Sequence, residues 1–291
     1  MDEMDRHTIS NGRVTATIKV EGAELCSLKN INGYEVLWQA GPEWPRHAPI
    51  LFPIVGRLKG DVLRHRGQTY AMTQHGFARD QRFAWSGQGP ASCSLVLRDN
   101  EASRAKYPFA FQFDVTYAIE GDYLVITYAI TNSGHEMMPA SIGTHPAFNW
   151  PLAAGADKED HCIIFGAAEP APIRRLTDGL LRPQCEPTPV QGGALALSEA
   201  LFAQDAVIID QLASTSLSYS GPGGPTILMD WQGFHELGIW SKPSGAPFIC
   251  IEPWQGWASP VDFDGEFADK PGVMHIAVGQ TRNFTQRIGF L

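Results

Sequence analysis

The sequence predicts an all-β protein, a large antiparallel β-sandwich carrying a few short helices, and three observations point there. Turn formers are abundant, with 29 Gly and 21 Pro among 291 residues. Short apolar runs, many with a period of two, recur along the chain, each bounded by Gly, Pro, Asn, Asp or Ser. Helical periodicity is weak throughout.

Taken in chain order, "RVTATIKV" and "SCSLVLRD" are the first such runs. The clearest is "FQFDVTYAIEGDYLVITYAIT", residues 111 to 131, where Phe111, Phe113, Val115, Tyr117 and Ile119 alternate with mostly polar partners. That pattern is a half-buried strand. Gly121 and Asp122 supply a two-residue turn, and the chain returns through Leu124, Ile126, Tyr128 and Ile130 as the second arm of a hairpin. Further strands are expected at "AVIID", "SLSYS", "TILMDW", "ELGIW", "FICIE" and "VMHIAV", with a marked turn at "SYSGPGGPT". Only "EASRAKY" and "ALALSEALFAQ" can make one to three helical turns, as connectors at the rim of a sheet. "AGADKEDHC" and "RPQCEPTPVQGG" read as solvent loops. With no linker, repeat or low-complexity tract, residues 1–291 are expected to form one domain.

Composition narrows the function. Hydrophobic residues make up 44% and charged residues 18%, as in a globular protein. The net charge of −9 and a pI near 5.4 argue against nucleic acid or an anionic membrane as partner and fit a neutral or cationic small ligand. Five scattered cysteines without a C-x-x-C pair suggest neither a disulfide framework nor a zinc knuckle, and a reducing cytoplasm is expected. The charged start "MDEMDRHTIS" lacks a signal-peptide core. The longest uncharged stretch, Met137 to Ala156, holds three prolines and is no membrane helix.

Four segments carry polar residues among apolar neighbours and turn formers: "PILFPIVGRLKGD" with Arg57, "QHGFARD" with His75, "IGTHPAFNWP" with His145, and "FICIEPWQGWASP" with Glu252. His75 and His145 each fit either a turn or a catalytic loop, and Arg57 fits either a surface charge or a held ligand contact. Glu252 follows an apolar strand, where a carboxylate is partly desolvated and needs a partner or a use. Trp240, Trp254 and Trp257 suit either a core or stacking on the apolar face of a sugar. Two histidines and a carboxylate can make a metal triad, but neither histidine sits in an H-x-H or H-x-D pair, so no metal is expected. There is no G-x-S-x-G elbow, Walker A motif or dinucleotide fingerprint. Acid–base chemistry without a cofactor remains.

Together and in this order, the four segments resemble the aldose 1-epimerase (galactose mutarotase) family, and more closely its shorter LacX-like bacterial branch, from about Ile9 to Ile288. The resemblance implies a galactose mutarotase-like supersandwich with a sugar cleft on one concave sheet. It implies a cofactor-independent isomerase that interconverts the α and β anomers of a free aldose. In that reading Glu252 is the general base for the C1 hydroxyl, and His145 is the general acid for the ring oxygen. His75 hydrogen-bonds the ring oxygen or a neighbouring hydroxyl, Arg57 and Asp205 hold hydroxyls, with Asp210 as the competitor for Asp205, and Trp254 contacts the sugar. Such chemistry wants a carboxylate raised by partial burial beside a histidine titrating near neutrality. Arg79 and Asp80 are expected to pair and fix their loop, and His75→Ala to cost rate more than stability.

The long asparagine- and aspartate-bearing loops of galactose-type enzymes are not evident, so galactose or glucose specificity does not carry over. Arg46, His47, Arg57, Lys59 and Arg79 leave a sugar-phosphate mutarotase open, though the negative charge disfavours it. A non-catalytic sugar-binding protein would keep the aromatics without needing His145 and Glu252 together. A glycosidase would want a second carboxylate, Asp205 or Asp264. The expected partner is a small sugar, bound by a monomer or homodimer.

Overall fold

The computed structural model describes residues 5–243 and 245–291. It is 47% strand and 7% helix, so sheets alone build its layers. The larger sheet has nine antiparallel strands, in the order Ala194–Ala196, Cys162–Phe165, Ser216–Ser220, Ile227–Gln232, Thr281–Phe290, Tyr123–Asn132, Phe111–Glu120, Ser92–Arg98 and Ala84–Gln88. The second sheet runs Leu180–Glu186, Ile173–Thr177, Val207–Ile209, Glu236–Trp240, Phe248–Gln255, Ile142–Thr144 and Ile50–Leu51, with Ala147–Asn149 also paired to Phe248–Gln255. A three-stranded sheet, Arg6–Ser10, Thr15–Lys19 and Leu25–Lys29, adds residues to the same core.

The hairpin at the centre of the larger sheet forms as its alternation requires. Phe111, Phe113, Val115 and Tyr117 are buried, as are Leu124, Ile126, Tyr128 and Ile130 on the returning strand. Each such side chain contributes about 1.5–3 kcal/mol when removed from water. Gly121 takes φ +61° at the turn, which a residue with a β-carbon adopts only under strain. On the opposite face, polar residues from neighbouring strands line up, and Ser94 and Thr116 share a 2.9 Å hydroxyl hydrogen bond.

The strand Phe248–Gln255 is buried on both faces except at its last residue, which is why it reads as a continuous apolar run. Ile249 and Ile251 point into the core between the sheets, with Leu237, Ile239, Val207 and Ile209 from adjacent strands. Phe248, Cys250 and Trp254 point the other way, with Ile208 and Trp240. The period of two thus gives the second sheet an outer face that is apolar but not part of the core.

One local expectation is met and two change. "EASRAKY" forms a single turn, Glu101–Arg104, fixed by a reciprocal cap between Asn100 and Ser103. "ALALSEALFAQ" splits into the edge strand Ala194–Ala196 and the 3-10 turn Glu199–Phe202, because pairing with Cys162–Phe165 outweighs its helical tendency. The first half of "RPQCEPTPVQGG" is not a solvent loop but part of the edge strand Leu180–Glu186, where Pro183 is tolerated at the sheet's rim.

Candidate active site

Strand register brings the two central residues together. Ile142 and Gly143 pair with Gln255 and Trp254, while Ala147 and Phe148 pair with Cys250 and Ile249. Both sets share one register, so His145, in the break between the two short strands, stands directly across from Glu252. Residues so opposed share a face at close approach, and His145 Nε2 lies 3.3 Å from Glu252 Oε2. On the other flank Glu252 is opposed by Gly238, and Gly238 by Ile208, so the residue opposite the carboxylate there brings no side chain of its own.

Trp254 forms the floor. A β-carbon on Gly143 would lie 2.5 Å from its ring and one on Gly238 would lie 2.3 Å from it, so the indole rests across two adjacent strands where each lacks a side chain. Behind it, Glu236 Oε2 accepts the Gly256 N–H at 2.7 Å and fixes the turn that ends the strand.

The walls come from loops and from neighbouring strands. The Trp44 ring stacks on His145 with centroids 4.9 Å apart, and Trp240 meets His145 edge-on at 6.0 Å. His75 approaches His145 edge-on at 5.5 Å. The His75 backbone is left-handed, φ +66°, with its N–H donating to Gly56 O at 2.7 Å. Gly76 follows because a β-carbon there would sit 2.2 Å from Phe52 O. His75 is therefore both a turn residue and a cleft residue. Its Nδ1 accepts the Gly56 N–H at 3.1 Å, so in the neutral ring Nε2 carries the proton, facing the Gln74 side-chain amide 3.3 Å away. Gln74, Arg79, Leu176, Asp205, Ala206, Ile208, Pro243 and Ala258 complete a cleft of about 380 Å³ with these residues, a size suited to a small ligand.

His145 and Glu252 are 6% and 2% exposed, and burial governs their protonation. It drives His145 down to about 3, helped by the Arg79 charge, and pushes Glu252 well above the usual carboxylate range. The Trp254 indole N–H opposes the latter shift, without completing a hydrogen bond, and Asp205 adds to it. The expected histidine titrating near neutrality is thus replaced by a neutral one, because burial leaves its ring little contact with solvent. His75 is held neutral in the same sense, by burial and by the neighbouring His145, Arg79 and Arg46. The buried atoms His145 Nδ1, Glu252 Oε2 and Trp254 Nε1 have no hydrogen-bond partner within the protein.

Other sequence candidates fall variously. Asp205 is on the cleft wall, while Asp210 pairs with Arg174 at 3.4 Å. Arg57 is not on the lining: its Nε and Nη2 each donate to Asp61 at 2.6 Å, and Nη1 donates to Asp178 O. Arg79 lines the cleft instead, pushed down to about 10 by burial, its Nη2 donating to Gln74 O at 2.7 Å and its Nε unpartnered. Asp80 lies 3.9 Å from Arg79 and pairs more closely with Arg46, at 2.8 Å, so two arginines tie this loop. Asp264 lines a separate small pocket with Lys59 and Arg64, and Trp257 lies off the lining. The sequence reading missed Trp44, although a tryptophan between prolines in "GPEWPRHAP" is a large aromatic in a loop that has no reason to be core.

Among the described residues no helix is long and apolar enough to cross a membrane. The described cysteines are free.

Comparison with known proteins agrees with the fold and the family resemblance. Protein LacX of Lactococcus lactis subsp. lactis is 34% identical over 280 residues, covering 92% of this chain and 93% of that protein. A galactose mutarotase related enzyme from Lactobacillus acidophilus superposes with a TM-score of 0.90 at 34% identity, covering 98% of this chain and 97% of that one. A galactose mutarotase-like protein from Lactobacillus casei gives 0.92 at 31% identity, covering 98% and 100%. The aldose 1-epimerase family model matches residues 5–274, and the chain belongs to the aldose 1-epimerase family.

Proposed function

We propose that this protein is a mutarotase, interconverting the anomers of a free aldose by acid–base opening and closure of its ring. The observation that carries this reading is the pairing of His145 with Glu252, buried and 3.3 Å apart at the floor of a sugar-sized cleft.

Ring opening takes one proton off the C1 hydroxyl and places one on the ring oxygen, so it needs a group that accepts and a group that donates. A protonated carboxyl beside a neutral imidazole holds one transferable proton, the same number as a carboxylate beside an imidazolium. Sugar hydroxyls filling the cleft stabilise the charged arrangement by hydrogen bonding, in place of water. Glu252 then takes the C1 proton and His145 delivers one to the ring oxygen. The C1–C2 bond of the open aldehyde rotates, and closure on the other face returns both protons. His75 Nε2–H donates to the ring oxygen or its neighbour, Asp205 accepts from a hydroxyl, and Trp254 supports the apolar face of the ring.

A second reading, mutarotation of a phosphorylated aldose, draws support from Arg79, a partly buried guanidinium at the cleft whose Nε makes no hydrogen bond. Comparing kcat/KM for an aldose and its phosphate ester decides between the two.

The test is anomer exchange of a freshly dissolved α-aldose, followed by NMR or polarimetry. Glu252→Gln and His145→Asn should each slow exchange by about 10²–10⁴. Because the pair acts as a unit, the double variant should be scarcely slower than either single one. Wild-type exchange in both single variants sinks the acid–base assignment. Sugar binding without exchange in the wild-type protein would favour a binding protein.

A further inference from the structure

One buried group beside the cleft, though not on its lining, takes no part in ring opening. Cys250 precedes Glu252 by two residues, so period two sends both side chains to the same face of the sheet. Its register partners are Ala147, two residues from His145, and Trp240, which packs edge-on against His145. One ligand atom from each of His145, Cys250 and Glu252 lies within 4.8 Å of the other two, and all three residues are buried. We propose that His145, Cys250 and Glu252 form a binding site for a thiophilic divalent cation of the zinc class, and that its occupancy switches off the acid–base pair.

The donor set fits such an ion. Thiolate, imidazole and carboxylate are all zinc ligands, and three protein ligands with an open fourth position is a common arrangement. With bonds of about 2.0–2.3 Å, tetrahedral ligands sit about 3.3–3.8 Å apart, so the longest pair closes by roughly 1 Å. The His145–Glu252 pair is already at 3.3 Å. A thiolate and a carboxylate cancel the two positive charges, so the filled site is neutral and is not penalised as a buried charge. Binding forms a metal–sulfur bond and releases the thiol proton, and any carboxyl proton, to water. The cleft reaches His145 and Glu252, giving an entry path and a place for a water or sugar hydroxyl at the fourth position. The soft sulfur selects against Mg²⁺ and Ca²⁺. Motif spacing along the chain misses this group because register across strands assembles it.

Metal-free protein is titrated with Co²⁺, whose thiolate-to-metal charge-transfer band reports sulfur ligation without any substrate, and then with Zn²⁺ as competitor. One equivalent of Co²⁺ should give the band in the wild type and in Cys185→Ser, which removes an exposed thiol, and Zn²⁺ should abolish it. Cys250→Ser and Cys250→Ala should lose the band and weaken Zn²⁺ binding at least tenfold. Zn²⁺ should slow wild-type anomer exchange while Mg²⁺ does not, each variant being compared with its own metal-free rate. A band that survives both Cys250 variants, or no band at all, overturns the site; so does equal Zn²⁺ inhibition of wild type and Cys250→Ser. The inhibition arm rests on the mutarotase reading and the cobalt arm does not, so failure of one is distinguishable from failure of the other.

Discussion

Replacing Gly238 by alanine tests whether the floor of the cleft is held by absent side chains. A β-carbon at 238 would lie 2.3 Å from Trp254 Cζ2, 2.4 Å from Cη2 and 3.0 Å from Cε2. Ordinary carbon contacts are about 3.5–4.0 Å, so the ring must retreat by roughly 1.2 Å. It cannot slide along the sheet, because its other edge already rests on Gly143, so it lifts into the cleft toward the sugar position. Overpacking of this kind costs about 1–3 kcal/mol. Gly238 is not among the residues with left-handed backbone, so alanine fits its conformation and returns about 0.4–1 kcal/mol through the unfolded chain. With an unfolding entropy of about 2.1 cal/mol/K per residue, the melting temperature should fall by about 0–4 °C. Displacement of about 1 Å at the site should slow anomer exchange by about tenfold to a hundredfold. Calorimetry and NMR exchange measure the two effects. An unchanged rate together with an equal or higher melting temperature would mean that Trp254 moves freely, and the account of the floor would be wrong.

His75 and the two arginines give further tests. His75→Ala should cost stability as well as rate, since alanine is strained at φ +66° and leaves the Gly56 N–H without its acceptor. His75→Asn tolerates that backbone and can still accept from Gly56, so it should melt within about 1 °C of wild type while exchange falls at least tenfold; equal rates in Asn and wild type would remove His75 from the chemistry. Arg79→Ala should raise KM by about tenfold, the loss of one charged hydrogen bond, whereas Arg57→Ala should leave KM within about twofold because Asp61 occupies its guanidinium. The reverse order in steady-state kinetics would restore Arg57 as the ligand-holding arginine.

Strands with long period-two alternation were legible because alternation and burial have one cause: Phe111 to Ile119 reads correctly since one face meets the core and the other water. The short hairpin Val62–His65 with Gln68–Ala71 and the edge strand Ala84–Gln88 were not, as they bury little and their polar sequences carry no pattern. Local reading equally failed at residues 194–196, where a partner strand decided the conformation. At the site, His75, His145 and Glu252 were found because each interrupts an apolar or turn-rich segment. Arg57 and Arg79 could not be separated that way: both follow such segments, and only the position of Asp61, four residues after Arg57, decides which guanidinium is free to face the cleft.

The protonation of the pair could not be read from the chain either, and the reason lies in the second layer over the strand Phe248–Gln255. Had its outer face met water, as in a half-exposed sheet, Glu252 would be an ordinary carboxylate and His145 an ordinary surface imidazole, each charged or neutral without regard to the other. Trp44 from a loop, Trp240 from the end of the neighbouring strand and Trp254 from the strand itself cover that face and leave it little contact with solvent. Burial among these rings penalises charge on either residue, raising the Glu252 carboxyl and lowering the His145 imidazole, which favours the neutral pair. In the mutarotase we propose, aromatic burial is part of the acid–base machinery: it ties ionisation of the pair to the arrival of a ligand rich in hydroxyls and keeps the charged form from dissipating in its absence.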